Sequence, residues 1–202
     1  MGTIKTTNIE TITGSGTLTL GQSGETISIP TNTTLGASGT TITVPSGCTI
    51  TNNGTQTGFG GTNTPAFSAR LNSAQSISNN TETKVTCSLE TLDTDNAYDN
   101  STNYRFTPQT AGHYLITGGF RISSFTTGRV VSWIRKNGSQ DHAVNEHYGD
   151  ASGVSQSALS TKIIEFNGTT DYVELYVFQG SGSTKNLQGD YASFFGGFKL
   201  IT

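Results

Sequence analysis

Tyr104-Arg105-Phe106-Thr107-Pro108-Gln109-Thr110-Ala111-Gly112-His113-Tyr114 sets two β-prone runs on either side of a cluster of turn formers. Residues 104–106 read as a short strand, and Pro108 to Gly112 as the turn that ends it. From Gly112 to Ile122 large apolar side chains alternate with small or polar ones, the period-2 pattern of a strand. The same signature recurs on both sides. Residues 66–71, 83–87, 130–136, 157–166, 171–178 and 191–201 predict further strands, with Asn137-Gly138 and Asn167-Gly168 as turn signals. No segment has helical periodicity. Many short strands at this spacing predict an all-β sandwich, barrel or jelly roll.

Composition agrees. Of 202 residues, 25 are Gly and only 12% are charged, where an ordinary domain has about 25%. Hydrophobic residues reach 32%, thin even for a β protein. No apolar run approaches the ~18 residues of a membrane-spanning helix, so no membrane insertion is expected. A net charge of −3 offers no basic footprint, so no nucleic acid is expected as partner. Cys48 and Cys87 are too few and too far apart for a disulfide framework and read as free thiols.

The thinness is concentrated at the beginning of the chain. Before the Gly-rich stretch Gly58-Phe59-Gly60-Gly61-Thr62 the only charges are Lys5, Glu10 and Glu25, and no aromatic residue occurs. This break divides the chain into a module at 1–62 and another at 63–202. The first contains a repeat: Ser23-Gly24-Glu25-Thr26-Ile27-Ser28-Ile29-Pro30 aligns with Ser38-Gly39-Thr40-Thr41-Ile42-Thr43-Val44-Pro45, a period of 15 residues. In each unit Ile27 and Ile29, or Ile42 and Val44, alternate with hydroxyl residues, and a proline ends the run. A unit buries about three aliphatic side chains, roughly 1.5–3 kcal/mol apiece. Fixing its backbone costs about 1–2 kcal/mol per residue. One chain alone does not balance that. The repeat therefore predicts a thin β-shaft (β-prism or β-helix) intertwined among three chains, with Ile27, Ile29, Ile42 and Val44 in the shared core.

The order of landmarks in the second module resembles the complement component one q globular head, within the tumour-necrosis-factor-like jelly-roll superfamily. The resemblance rests on Tyr98, Phe106, Gly112 and Tyr114, on Val131-Ser132-Trp133-Ile134-Arg135-Lys136-Asn137-Gly138, on Ile164 to Val173, and on the closing Phe194-Phe195-Gly196-Gly197-Phe198. It implies a ten-strand-type jelly-roll sandwich and a homotrimer, with Phe106, Tyr114, Trp133 and Phe198 in the core or against the threefold axis. The whole layout is similar to fibre proteins of tailed phages, of the marine or cyanobacterial type. That implies a virion tail fibre, made in the host cytoplasm and working outside the cell. Its first module would attach to other virion proteins and its head to a bacterial surface glycan or protein. Alternatives are a capsid-attached head fibre or decoration protein, and a bacterial surface adhesin. The N-terminal Met1-Gly2-Thr3-Ile4-Lys5 lacks the apolar run of an export signal, which weighs against the adhesin.

Few residues suggest chemistry. His142 and His147 lie in a polar run expected to be an exposed loop, with carboxylates nearby; imidazole and carboxylate are transition-metal ligands. Asp93, Asp95 and Asp99 could hold calcium, yet the run lacks the glycine and distal glutamate of a calcium hand, and Asp is a common turn former. Asn145 and Tyr148, in the same expected loop as the histidines, are candidate receptor contacts. No nucleophile elbow, zinc signature or phosphate loop occurs, so no enzymatic activity and no resident cofactor are expected.

Overall fold

Asn137 and Gly138 both adopt positive φ, 54° and 78°, and turn the chain back on itself, as their sequence signalled. What they join are two long strands, β8 (Gly128–Lys136) and β9 (Gln140–Gly149), paired antiparallel. In the computed structural model, which describes residues 41, 43–44, 46–49, 51, 63–125, 127–149 and 153–201, the chain divides into two units, Met1–Thr55 and Gln56–Thr202. Ile27, Ile29 and Ile42 of the shaft lie outside the described residues; Val44 is exposed.

The described part of the second unit is all strand and turn. Before β8 come β1 (Ala66–Leu71), β2 (Gln75–Ile77), β3 (Thr83–Lys84), β4 (Leu89–Asp93), β5 (Tyr98–Asp99), β6 (Arg105–Phe106) and β7 (Gly112–Phe125). After β9 come β10 (Val154–Phe166), β11 (Val173–Gln179), β12 (Lys185–Leu187) and β13 (Asp190–Lys199). One sheet runs β2-β12-β7-β13-β1-β4, with β10 on the other side of β7; the second runs β5-β6-β11-β8-β9, with β3 also on β11. All pairings are antiparallel, and apart from β5–β6 and β8–β9 neighbours in the sheets are not consecutive in sequence, as in a jelly roll. The expected strand at 83–87 is cut to two residues, and Val85 continues only by one amide bond to the Leu175 carbonyl.

The core fills the space between the sheets. Phe67 stacks on Phe106 at 4.2 Å and on Tyr98 at 5.0 Å between ring centroids. Tyr114 meets Phe166 edge-on at 5.0 Å, and Phe195 meets Phe67 likewise. Such pairs add about 0.5–1.5 kcal/mol each beyond their burial. The phenols that enter the core keep a partner: Tyr98 donates to the Cys87 carbonyl and Tyr114 to that of Thr110. Phe106 and Tyr114 thus take the core places expected of them.

Phe198 and Trp133 lie outside that core. In β13 the inward phase is Ser193, Phe195 and Gly197, so Phe195 occupies the core and Phe198 is half-buried on the outer face. In β8 the inward phase is Val130, Ser132 and Ile134; Trp133 is buried on the outside of its sheet, under the Arg135 guanidinium and beside Phe178. Each strand carries large apolar side chains on both phases, and an alternation rule has nothing to choose between them. Gly112 turns a corner at φ 142°, a conformation that disfavours a side chain.

Candidate functional site

The outer face of the first sheet is the surface most in need of a partner. Its rows follow from register. Ile163 of β10, Leu115 of β7, Phe198 of β13 and Ala66 of β1 lie side by side. The next row is Thr161, Thr117, Gly196, Ser68 and Leu92, with the two threonine hydroxyls bonded at 2.9 Å. The third is Leu159, Gly119, Phe194 and Arg70. Leu159 and Ile163 are about half exposed, at 51% and 52%, and Phe194 and Leu92 also reach solvent. The first two rows contain no charged side chain. Gly119, with no side chain of its own, floors a hollow of about 390 Å3 walled by Leu159 and Phe194. An uncharged apolar face of this kind marks an interaction surface.

The outer face of the second sheet is different, because it covers itself. Arg135 forms ion pairs with Glu82 and Asp141 and lies over the rings of Trp133 and Tyr176. Arg129 grips Glu146 through two hydrogen bonds, 2.6 and 2.9 Å, and rests on Phe178. These charges have their partners within the face.

The histidine segment is strand β9, not a loop. The Asn137-Gly138 turn makes the chain after it the second arm of a hairpin, and Ala143, the residue facing inward, anchors that arm against the core. Asn145 and Tyr148 are therefore strand residues, three apart and on opposite faces, and do not form one site. Both are exposed, Tyr148 at 74%. His142 is the extra residue of a bulge, since Ile134 pairs with Ala143 and Arg135 with Asp141. Burial, then the charges of Lys136 and Lys162, lower its pKa from the ordinary imidazole value. The His147 ring nitrogen Nε2 lies 3.3 Å from Gln156 Oε1.

The acidic run is occupied with its own turns. Asp93 accepts the Tyr98 and Asp95 amides, and Asp95 accepts the Thr94 hydroxyl. Asp99 accepts the amides of Ser101, Thr102 and Asn103 at 2.9–3.0 Å, together with the Asn103 side chain at 2.7 Å. Those bonds, the Thr102 amide foremost, hold its carboxyl well below the usual carboxylate range. Among the described residues no group of three or more His, Cys, Asp or Glu converges on a metal-sized space.

Sequence reading missed Leu115, Leu159, Ile163 and Phe194. The available signal was β13 and β7 themselves: a strand with apolar residues in both phases is covered on both faces.

Two antiparallel sheets with this strand order and one aromatic core define a jelly-roll sandwich. Among solved structures, the chain is similar to the globular domain of zebrafish complement 1qA protein, with a TM-score of 0.50 and 19% identity over 68% of this chain and 97% of that one. It is also similar to murine APRIL, at TM-score 0.49 and 15% identity, covering 67% and 99% of the two chains. A third similar structure is the Eiger TNF from S. frugiperda, at 0.46 and 13%, covering 68% and 94%. No protein-family model and no curated protein matches the chain.

Proposed function

We propose that this chain is the subunit of a homotrimeric virion fibre, a phage tail fibre whose jelly-roll head adheres to the surface of a bacterial host. The observation that carries the proposal is the uncharged row of Ile163, Leu115, Phe198 and Ala66 on the outer face of the first sheet, with Leu159 and Phe194 exposed two rows away. Its occupants in this reading are further copies of the same chain. The Thr-rich repeat of the first module supports it independently, since about three aliphatic side chains per unit require a core shared between chains. Joining the heads in threes also multiplies weak receptor contacts through effective concentration, so adhesion needs no deep pocket and no catalytic step.

Mass measurement of the purified chain in solution tests the trimer: three chain masses are expected, and a stable monomer overturns it. Saturable binding of the labelled protein to host cells tests adhesion. Imaging of the particle with a bound antibody tests the location; signal at the tail supports the fibre, and signal on the capsid shell replaces it with a decoration protein.

A further inference from the structure

Arg105 is a cation without an anion. It faces Asp99 directly across the β5–β6 ladder, but Asp99 has spent both oxygens on the loop that follows it. Asp171 and Glu174 lie within two residues of Val173, the residue paired with Phe106, and they are taken by Lys136 and Lys84. Among the described residues no carboxylate comes within ion-pair distance of the Arg105 guanidinium. What holds it is the ring of Tyr172, 4.2 Å from centroid to Cζ. Among the described residues no hydrogen bond or ion pair takes its N–H groups, and a guanidinium in that state can receive a two-oxygen anion in a bidentate pair.

The space beside it has a composition to match. Asn96, Tyr98, Asp99, Asn103, Arg105 and Gln109 line most of an open hollow of about 420 Å3. Three carboxamides line it; Asn103 and Gln109 already donate to Asp99 and to the Thr107 carbonyl, which leaves their amide oxygens as acceptors, and Asn96 adds both a donor and an acceptor. Asp99 accepts the Ser101, Thr102 and Asn103 amides and so fastens the 99–103 loop that carries Asn103. The hollow lies at the β5–β6 edge, while the apolar face described above belongs to the other sheet.

We infer that the Arg105 hollow is a saccharide-binding site for a carboxylate-bearing sugar, a uronic acid within a surface glycan, with Arg105 gripping the carboxylate and Asn96, Asn103 and Gln109 the hydroxyls. The inference rests on the adhesion reading and names the chemistry of its receptor.

The test is calorimetric titration of the full chain with a galacturonic acid trisaccharide, alongside the neutral galactose trisaccharide and inorganic phosphate. Binding of the uronate alone is expected, weakened by salt. Arg105→Gln should reduce that affinity about tenfold or more, the scale of one charge-assisted bidentate pair, and Arg105→Lys should recover part of it. Unchanged affinity in Arg105→Gln at an unchanged melting temperature overturns the site. Equal binding of the neutral sugar, or of phosphate, overturns the ligand class. Host-cell binding separates the two levels. Saturable binding that Arg105→Gln leaves intact overturns this site and keeps the adhesin; uronate binding without any cell binding keeps the site and overturns the adhesin.

Discussion

The Lys84 ammonium lies 2.5 Å from the carboxylate of Glu174, whose side chain is only 5% exposed on the outer face of the second sheet. Lys84 also donates to the Asn103 carbonyl, so one side chain ties β3, β11 and the loop before β6 together. Removing the cation alone leaves a buried carboxylate unpaired. Lys84→Met should cost about 3–5 kcal/mol in denaturant unfolding, whereas the double variant with Glu174→Leu should recover most of that loss. Losses in the two that differ by less than 1 kcal/mol would make the pair a surface ornament.

Asp171 makes an acid limb to stability. Hydrogen bonds from Asn137 and Lys136 lower its pKa to about 2, from an ordinary value of 3.8. Its folded-state pKa is depressed, so the stabilisation is complete above the unfolded value and fades as pH falls from about 4 to about 2. Asp99 contributes in the same sense. Unfolding curves across that range should slope steeply for the parent chain. Asp171→Asn should be less stable at pH 7 and should lose part of the slope; an identical acid limb in both would refute the assignment.

Two glycines should differ in what they tolerate. A Cβ at Gly118 would stand 2.8 Å from Leu175 Cδ1 and 3.0 Å from Phe195, both side chains able to shift. One at Gly128 would stand 2.2 Å from the Gly180 carbonyl oxygen, with φ at 142° besides. Gly118→Ala should cost about 1–3 kcal/mol by overpacking. Gly128→Ala should cost more, read as a lower melting temperature or loss of soluble protein. The reverse order would show that the sheets, not the turn, are the less yielding part.

The apolar face can be broken without touching the core. Phe194→Lys places a charge in the row of Leu159 and Gly119, beside a side chain that already reaches solvent. Sedimentation should show monomers in place of trimers, with circular dichroism of the parent β form. A variant that remains trimeric would move the interface elsewhere.

The two thiols should react at different rates. Burial pushes the Cys87 thiol up to about 12, while Cys48 is exposed. A thiol reagent at pH 8 should label one cysteine at once and the second only in denaturant.

Much of the head was legible because its turns and strands are local. Asn137-Gly138, the corner at Gly112 and the period-2 runs around Tyr114 and Ile164 express backbone preference within a few residues. The candidate site was much less so. Asn145 and Tyr148 seemed neighbours in a loop and lie on opposite sides of a strand. Arg105 seemed one polar residue of a short strand; its significance comes from Asp99, Asp171 and Glu174 all being engaged elsewhere, and those engagements span up to about ninety positions of sequence.

The alternation of side chains, the turn formers and the scarcity of charge were enough to make the described part of residues 63–202 an all-β sandwich. They act through neighbours along the backbone, where an extended chain allows only two directions for a side chain. Which of Phe194, Phe195 and Phe198 enters the core, whether Trp133 faces in or out, and whether Arg105 meets a carboxylate depended on the packing of two sheets. An extended strand offers two equivalent faces. The choice between them belongs to the strands opposite, whose side chains fill one gap and leave the other face to water or to a partner.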